Sequence, residues 1–179
     1  AAQPSEGNDK NSTYKIWEIK NTQAFLEESY SPSLYEISPI VYVAPSDFSV
    51  GNYKGNMDTW LNYGKFQIEL NKGRDELPDD IKQKVHELTD HEKDPRQKAE
   101  IIYRFLQEQT HYISVQLGIG GWQPFDAKYV AKNKYGDCKA LSNYTIAMLK
   151  EAGIKANYVI IEAGDDPDKI DTSFPMVQF

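Results

Sequence analysis

The chain has 179 residues, with 20 Lys and Arg against 27 Asp and Glu, a formal net charge of −7 and 40% hydrophobic residues. That length fits one ordinary domain, or one domain and part of another, and the apolar content suffices for a packed core, which excludes wholesale disorder. A mean hydropathy of −0.65, with no apolar run near the roughly 18 residues a membrane span needs, excludes a transmembrane helix, and the acidic balance argues against nucleic-acid binding through Lys and Arg on phosphates.

Residues 1–13 are polar and small, and they read as a disordered lead without the charged-then-apolar build of a signal peptide. Tyr14, Ile16, Trp17 and Ile19 predict a short strand over Tyr14–Lys20. Pro32, Pro39 and Pro45 break the following chain into extended pieces, of which Ile40–Val43 is the best strand. Residues 57–72 fit a helix through Met57, Leu61, Gly64 and Ile68, or a strand through Phe66, Ile68 and Leu70; helix is preferred, with Gly73 as its stop. Pro78 suits a first helical position, and Ile81, Val85 and Leu88 predict a helix over 79–90. Asp94-Pro95-Arg96-Gln97 has the build of a helix start and opens a second helix over 95–109, with Ala99, Ile102 and Leu106 toward the core.

Ile113, Val115 and Leu117 alternate with polar residues and Gly118, which predicts a half-buried strand; Gly118–Pro124 is a loop and 126–133 a short helix. Gly136 permits a sharp turn, and Asp137 is a good cap for a helix over 137–152 that places Cys138 at its first position. Leu141, Thr145, Met148, Leu149 and Ala152 make one face of that helix. Gly153 supplies a left-handed stop, with Ile154 placed to pack back on Leu149. Residues 155–163 predict a strand whose apolar run, Tyr158–Ile161, suits a central place in a sheet. A loop over 164–175 leads to a new strand at Met176–Phe179. A core strand of four residues does not complete a domain, so the chain is expected to be a fragment.

The chemistry centres on the one cysteine, which cannot form an internal disulfide or a Cys-rich zinc site. A thiol at a helix N-terminus sits where free N–H groups favour negative charge, as a nucleophile needs; the other reading is a buried structural cysteine. The helix dipole contributes only about 0.3–1 kcal/mol, and Asp137 and Lys139 carry opposite charges, so strong activation requires an imidazole. His86 and His91 read as solvated surface residues and His111 as a capping or packing residue; all three precede Cys138, and none has metal-pair spacing. Trp122-Gln123 has two readings, a core aromatic with its neighbour, or a pair lining a cleft with Gln123 donating to an oxyanion. The acidic residues Asp165, Asp166, Asp168 and Asp171 lack the spacing and glycine of a calcium loop and read as a solvated loop. No metal and no cofactor is expected. Asn143-Tyr144-Thr145 matches a glycosylation sequon but falls on a predicted helix.

The run Ile113–Phe125 (ISVQLGIGGWQPF), followed by Tyr135-Gly-Asp-Cys-Lys139 and Ala147–Ile154 (AMLKEAGI), resembles the transglutaminase-like superfamily, a papain-like cysteine fold, over Leu77–Ile161. The resemblance implies an α+β fold with the Cys helix packed on an antiparallel sheet, truncated at its C-terminal strands. It implies that Cys138 is the nucleophile, that the His and Asp partners would lie beyond Phe179, that this chain is inactive without them, and that the substrate is a peptide or protein amide. Upstream, Gly55–Trp60 and Gly73–Pro78 resemble the tail of a β-rich domain of unknown function that often precedes this module in exported bacterial proteins, which implies an extracytoplasmic location. The organisation expected is a disordered lead over 1–13, the end of that β-rich domain over 14–76, and an incomplete transglutaminase-like domain over 77–179. The alternative function is a noncatalytic module that binds a peptide or glycan at the Trp122 cleft.

Overall fold

The computed structural model describes residues 3–26, 28–32, 34–161 and 170–177. Chain contacts divide it into two compact units, Ala1–Ile40 and Val41–Phe179.

In the first unit, β1 (Ser5–Asn8) and β2 (Thr13–Ile16) form an antiparallel hairpin, followed by the single turn of α1 (Leu34–Ile37). Asp9 holds the hairpin turn by accepting from the Asn11 and Ser12 amides at 3.0 and 2.9 Å. Ser5–Asn8 therefore belong to a ladder, where the sequence predicted a disordered lead, and the strand predicted over Tyr14–Lys20 shortens to Thr13–Ile16 because its partner runs out at Ser5.

The second unit opens with the hairpin β3 (Asp47–Val50) and β4 (Tyr53–Asn56), closed by a left-handed Gly51 with φ 58°. This hairpin replaces the strand predicted at Ile40–Val43, which has no ladder partner among the described residues. The elements that follow are α2 (Trp60–Asn71), α3 (Asp79–Thr89), α4 (Pro95–Gln109), β5 (His111–Tyr112), a 3-10 turn at Gly118–Gly121 within the predicted loop, α5 (Ala127–Asn133) and β6 (Tyr135–Gly136), before the Cys helix α6 (Cys138–Glu151). Their starts follow local chemistry. Thr59, Asp94, Asp126 and Asp137 each cap a helix by accepting a backbone amide of the first turn. At the end of α6, Ile154 N donates to Leu149 O at 2.8 Å and Gly153 takes φ 79°, as the glycine stop predicts.

Two clusters fill the interior. One is mainly aliphatic and joins α3, α4, α5 and α6 through Ile81, Val85, Ile102, Val130, Tyr144 and Met148. The other gathers Met57, Tyr63, Phe66 and Leu70 with Phe48 and Trp122 packed against them. The second cluster ties residues 44–70 into the same compact unit as the Cys helix.

The α+β class holds, with differences in detail. Both α2 and α6 form as predicted, with differences in what they bury: α2 buries Tyr63, Phe66 and Leu70 instead of Leu61 and Ile68, whereas of the face predicted for α6 Met148 and Ala152 are buried, Leu141 and Leu149 are half-buried against the same cluster, and Ala140, Asn143, Tyr144 and Ala147 are buried beside them. Helix α6 is apolar on two sides, and the Ala/Tyr side is the one that fits against α3–α5. The strands that follow α4 and α5, the helices packed on α6, are β5 and β6, and they pair in parallel. The strand predicted at Ile113–Leu117 does not form: β5 ends just before it, at Tyr112. The β6 partner gives way to the Asp137 cap after Gly136, and Leu117 is 89% exposed. Residues 154–161 alternate between half-buried and exposed, as a strand does, without a ladder partner among the described residues. Residues 162–169 and 178–179, with most of the predicted acidic loop and part of the last strand, lie outside the described residues; Met176 and Val177 are not in a strand.

Candidate active site

Gly136 and Asp137 set the position of the thiol. A Cβ on Gly136 would stand 2.9 Å from the Ala140 Cβ and 3.4 Å from Leu141, so this glycine is required by the close approach of β6 to the first turn of α6. Its φ is not in the left-handed region, which corrects the expectation of a sharp glycine turn. Asp137 is only 2% exposed. Its carboxylate accepts from Ala140 N at 2.9 Å and pairs with the Lys139 ammonium, whose side chain is 13% exposed. The pair is close to neutral as a unit, so it fixes the helix start without adding net charge beside the sulfur.

Cys138 itself is exposed, which removes the reading of a buried structural cysteine. It opens onto a groove of about 740 Å³ walled by Leu106 of α4, Leu141, Thr145 and Leu149 of α6, and Ala156 and Tyr158 of the extended segment. The stripe Leu141–Thr145–Leu149, predicted as a core face, is thus the wall of this groove. Burial pushes the Tyr158 phenol up to about 12, and the nearby Cys138 and Asp137 add to the shift. A second, more apolar groove of about 970 Å³ adjoins the same segment. It is lined by Trp60, Tyr63 and Ile68, and it shares Ile146, Tyr158 and Val159 with the first.

Gln123 does not supply a free donor. Its Nε2 donates to Tyr53 Oη and to Leu70 O, each at 2.9 Å, and its Oε1 accepts from Arg74 Nη2 at 2.7 Å. Both amide hydrogens are therefore committed, and the oxyanion expectation gives way to a structural one: Gln123 ties α2 to the segment before α5. Trp122 is half-buried with its ring edge-on to Phe66 at 6.2 Å, the core-aromatic reading. Sequence reasoning missed Arg74 and Asn143. The Arg74 carbonyl accepts from Ala127 N at 2.8 Å and from the buried Asn143 amide of α6 at 2.7 Å. That buried bond gives the sequon asparagine a packing role.

No histidine lines the Cys138 groove among the described residues. His111 sits exposed in β5 beside Tyr135. His86 is about half exposed and bridges Asp90 at 3.0 Å and Glu151 at 3.1 Å. Those two carboxylates, Asp90 the stronger, raise its pKa above the ordinary imidazole value. Among the described residues no group of three or more His, Cys, Asp or Glu could hold a metal. Asp171 instead accepts from Ser173 N at 2.9 Å and Ser173 Oγ at 2.6 Å. No helix among the described residues is long and apolar enough to cross a membrane.

An open thiol on the first residue of a capped helix, set between packed helices and an extended segment, defines a cysteine-centred α+β domain. The transglutaminase-like superfamily model matches residues 82–173, just over half the chain, and the chain belongs to that superfamily. A crystal structure described as a "putative protease" from Parabacteroides distasonis is 23% identical with a TM-score of 0.43, covering 50% of this chain and 18% of that one. Among curated proteins none matches.

Proposed function

We propose that Cys138 is the nucleophile of an amide hydrolysis or acyl transfer on a peptide or protein substrate. The observation that carries this reading is the exposed thiol at the start of α6, opening onto a groove of about 740 Å³. The sulfur would attack the carboxamide carbon to form a thioester and expel an amine, which must take up a proton as it leaves. With no imidazole lining the groove among the described residues, there is no general acid of suitable pKa there for that amine, and this chain is expected to be inactive toward amides by itself. An activated ester needs no such acid, because p-nitrophenolate leaves unprotonated. With p-nitrophenyl acetate, the native chain should release one equivalent of p-nitrophenolate, Cys138→Ser should release none, and neither should cleave a peptide amide. An equal burst from Cys138→Ser, or amide turnover by this chain, would overturn the reading.

The second reading is a noncatalytic binding module, favoured by the larger apolar groove. It places peptide binding there; a glycan platform on Trp122 is disfavoured by the packing of that ring on Phe48 and Phe66. Peptide binding without acylation of Cys138 would favour it. The extracytoplasmic location, and the assignment of residues 14–76 to the end of a β-rich domain, rest on the family resemblance alone and belong to the proposal.

A further inference from the structure

Addition of a thiolate to a carbonyl moves the π electrons onto oxygen, and that oxygen needs donors in a place shielded from water. The polar groups of the Cys138 groove differ in what they can offer. The Thr110 and Thr145 hydroxyls donate to Leu106 O and Leu141 O, each at 2.7 Å. The Lys139 ammonium is held by Asp137. Ser142, Asn157, Gln107 and Tyr103, the last 55% exposed, stand at the rim, where water competes for their hydrogen bonds. Tyr158 is different. It is half-buried on the inward side of the alternating segment, it lines the groove with Cys138, and its hydroxyl has no hydrogen-bond partner among the described residues.

We propose that Tyr158 is a catalytic residue whose phenol O–H donates a hydrogen bond to the oxygen of the tetrahedral adduct formed when Cys138 adds to a substrate carbonyl. This rests on the reading of Cys138 as the nucleophile. In the step, the Cys138 Sγ–carbon bond forms, the carbonyl π pair moves to oxygen, and Tyr158 keeps its proton while sharing it. The phenol is suited to that part because it keeps its proton at neutral pH; burial first, then the nearby Cys138 and Asp137, push its pKa up to about 12. Half-burial lowers the local dielectric and strengthens the bond relative to one made at the rim.

The test uses an aldehyde, since a thiol adds to it without a base at equilibrium: Sγ–C forms and the thiol proton goes to the oxygen. Acetyl-phenylalanyl-glycinal, carbon-13-labelled at the aldehyde, is titrated into the full chain, and the hemithioacetal resonance gives its Kd. Iodoacetamide alkylation of Cys138 is measured beside it, because that displacement creates no new oxygen centre. Tyr158→Phe should weaken the adduct about 3- to 10-fold, the usual worth of one hydrogen bond, and leave alkylation within about twofold. Equal adduct affinity in the variant would overturn the assignment, as would a parallel loss of adduct and alkylation, which marks a packing role. Tyr158→Leu, which fills the site without a hydroxyl, should behave like Tyr158→Phe. A native chain that alkylates at Cys138 but forms no hemithioacetal would overturn the reading of Cys138 itself, a result distinct from failure at Tyr158.

Discussion

The cluster beneath the Cys helix and the cluster against α2 are assembled from different kinds of chain. The first is supplied almost wholly by helices, which satisfy their own backbone and contribute a stripe of Ile, Val, Leu, Ala and Met to a dry interior. The second is aromatic and draws on a hairpin, the helix that follows it and a loop about 50 residues beyond that helix, with Phe48 edge-on to Phe66 at 4.8 Å. Its backbone and side chains are stitched by Gln123, which reaches Tyr53, Leu70 and Arg74 together. The difference assigns roles. The aliphatic cluster carries the thiol and the wall of its groove, and the aromatic cluster fixes the loop before α5 and one end of the larger groove.

Breaking each cluster should therefore have different consequences, and the largest lies under the Cys helix. Met148 is fully buried at the centre of the aliphatic cluster. Met148→Ala should cost about 2–5 kcal/mol through lost burial and the cavity left behind, read by urea denaturation followed at the tryptophans. Gln123→Ala should cost about 1–3 kcal/mol, because the Leu70 carbonyl and the Arg74 guanidinium lose buried partners. The same denaturation reads it, and iodoacetamide alkylation of Cys138 should stay unchanged, since Gln123 serves the other cluster. Asp137→Ala should cost about 0.5–2 kcal/mol for the lost helix cap, yet alter alkylation, because the cap adjoins the thiol.

His86 gives the smallest effect and sharpens the comparison by joining only the helices of the aliphatic cluster. Asp90 and Glu151 raise its pKa in the folded chain above the ordinary 6.5. Its contribution is then fully present below about 6.5, the unfolded value, and is lost as pH rises through the higher folded value. The melting-temperature advantage over His86→Gln should be greatest near pH 6 and close at higher pH. An advantage that grows with pH would contradict the assignment.

Much of the helical part was legible because helix signals are local. Asp94-Pro95 and Asp137-Cys138 mark their own starts, and Gly153 its own stop. Which side of a helix faces inward was less so, since α6 has two apolar sides and only its neighbours decide between them. The strands were poorly legible for the corresponding reason: a ladder needs a partner. Ile113–Leu117 has the alternation but no partner past Gly136, whereas β3 and β4 have little alternation and pair through the Gly51-Asn52 turn, a signal present in the sequence. At the site, Cys138 was readable from its cap. The commitment of Gln123 was not, because Tyr53, Leu70 and Arg74 come to it from 49 to 70 positions away. Tyr158 was passed over as part of an apolar run, although alternation along 154–161 puts it on the inward side.

The central claim is that Cys138 is an open thiol on a preformed groove, in contrast to the sealed cluster directly beneath it. Iodoacetamide alkylation of the native chain, compared with the chain unfolded in urea at the same pH, measures this directly, since Cys138 is the sole cysteine. The native rate should lie within about tenfold of the unfolded rate, because an exposed thiol needs no opening event to react. A native rate about a thousandfold slower or more, tracking global unfolding, would show a thiol sealed in the fold and would contradict the account.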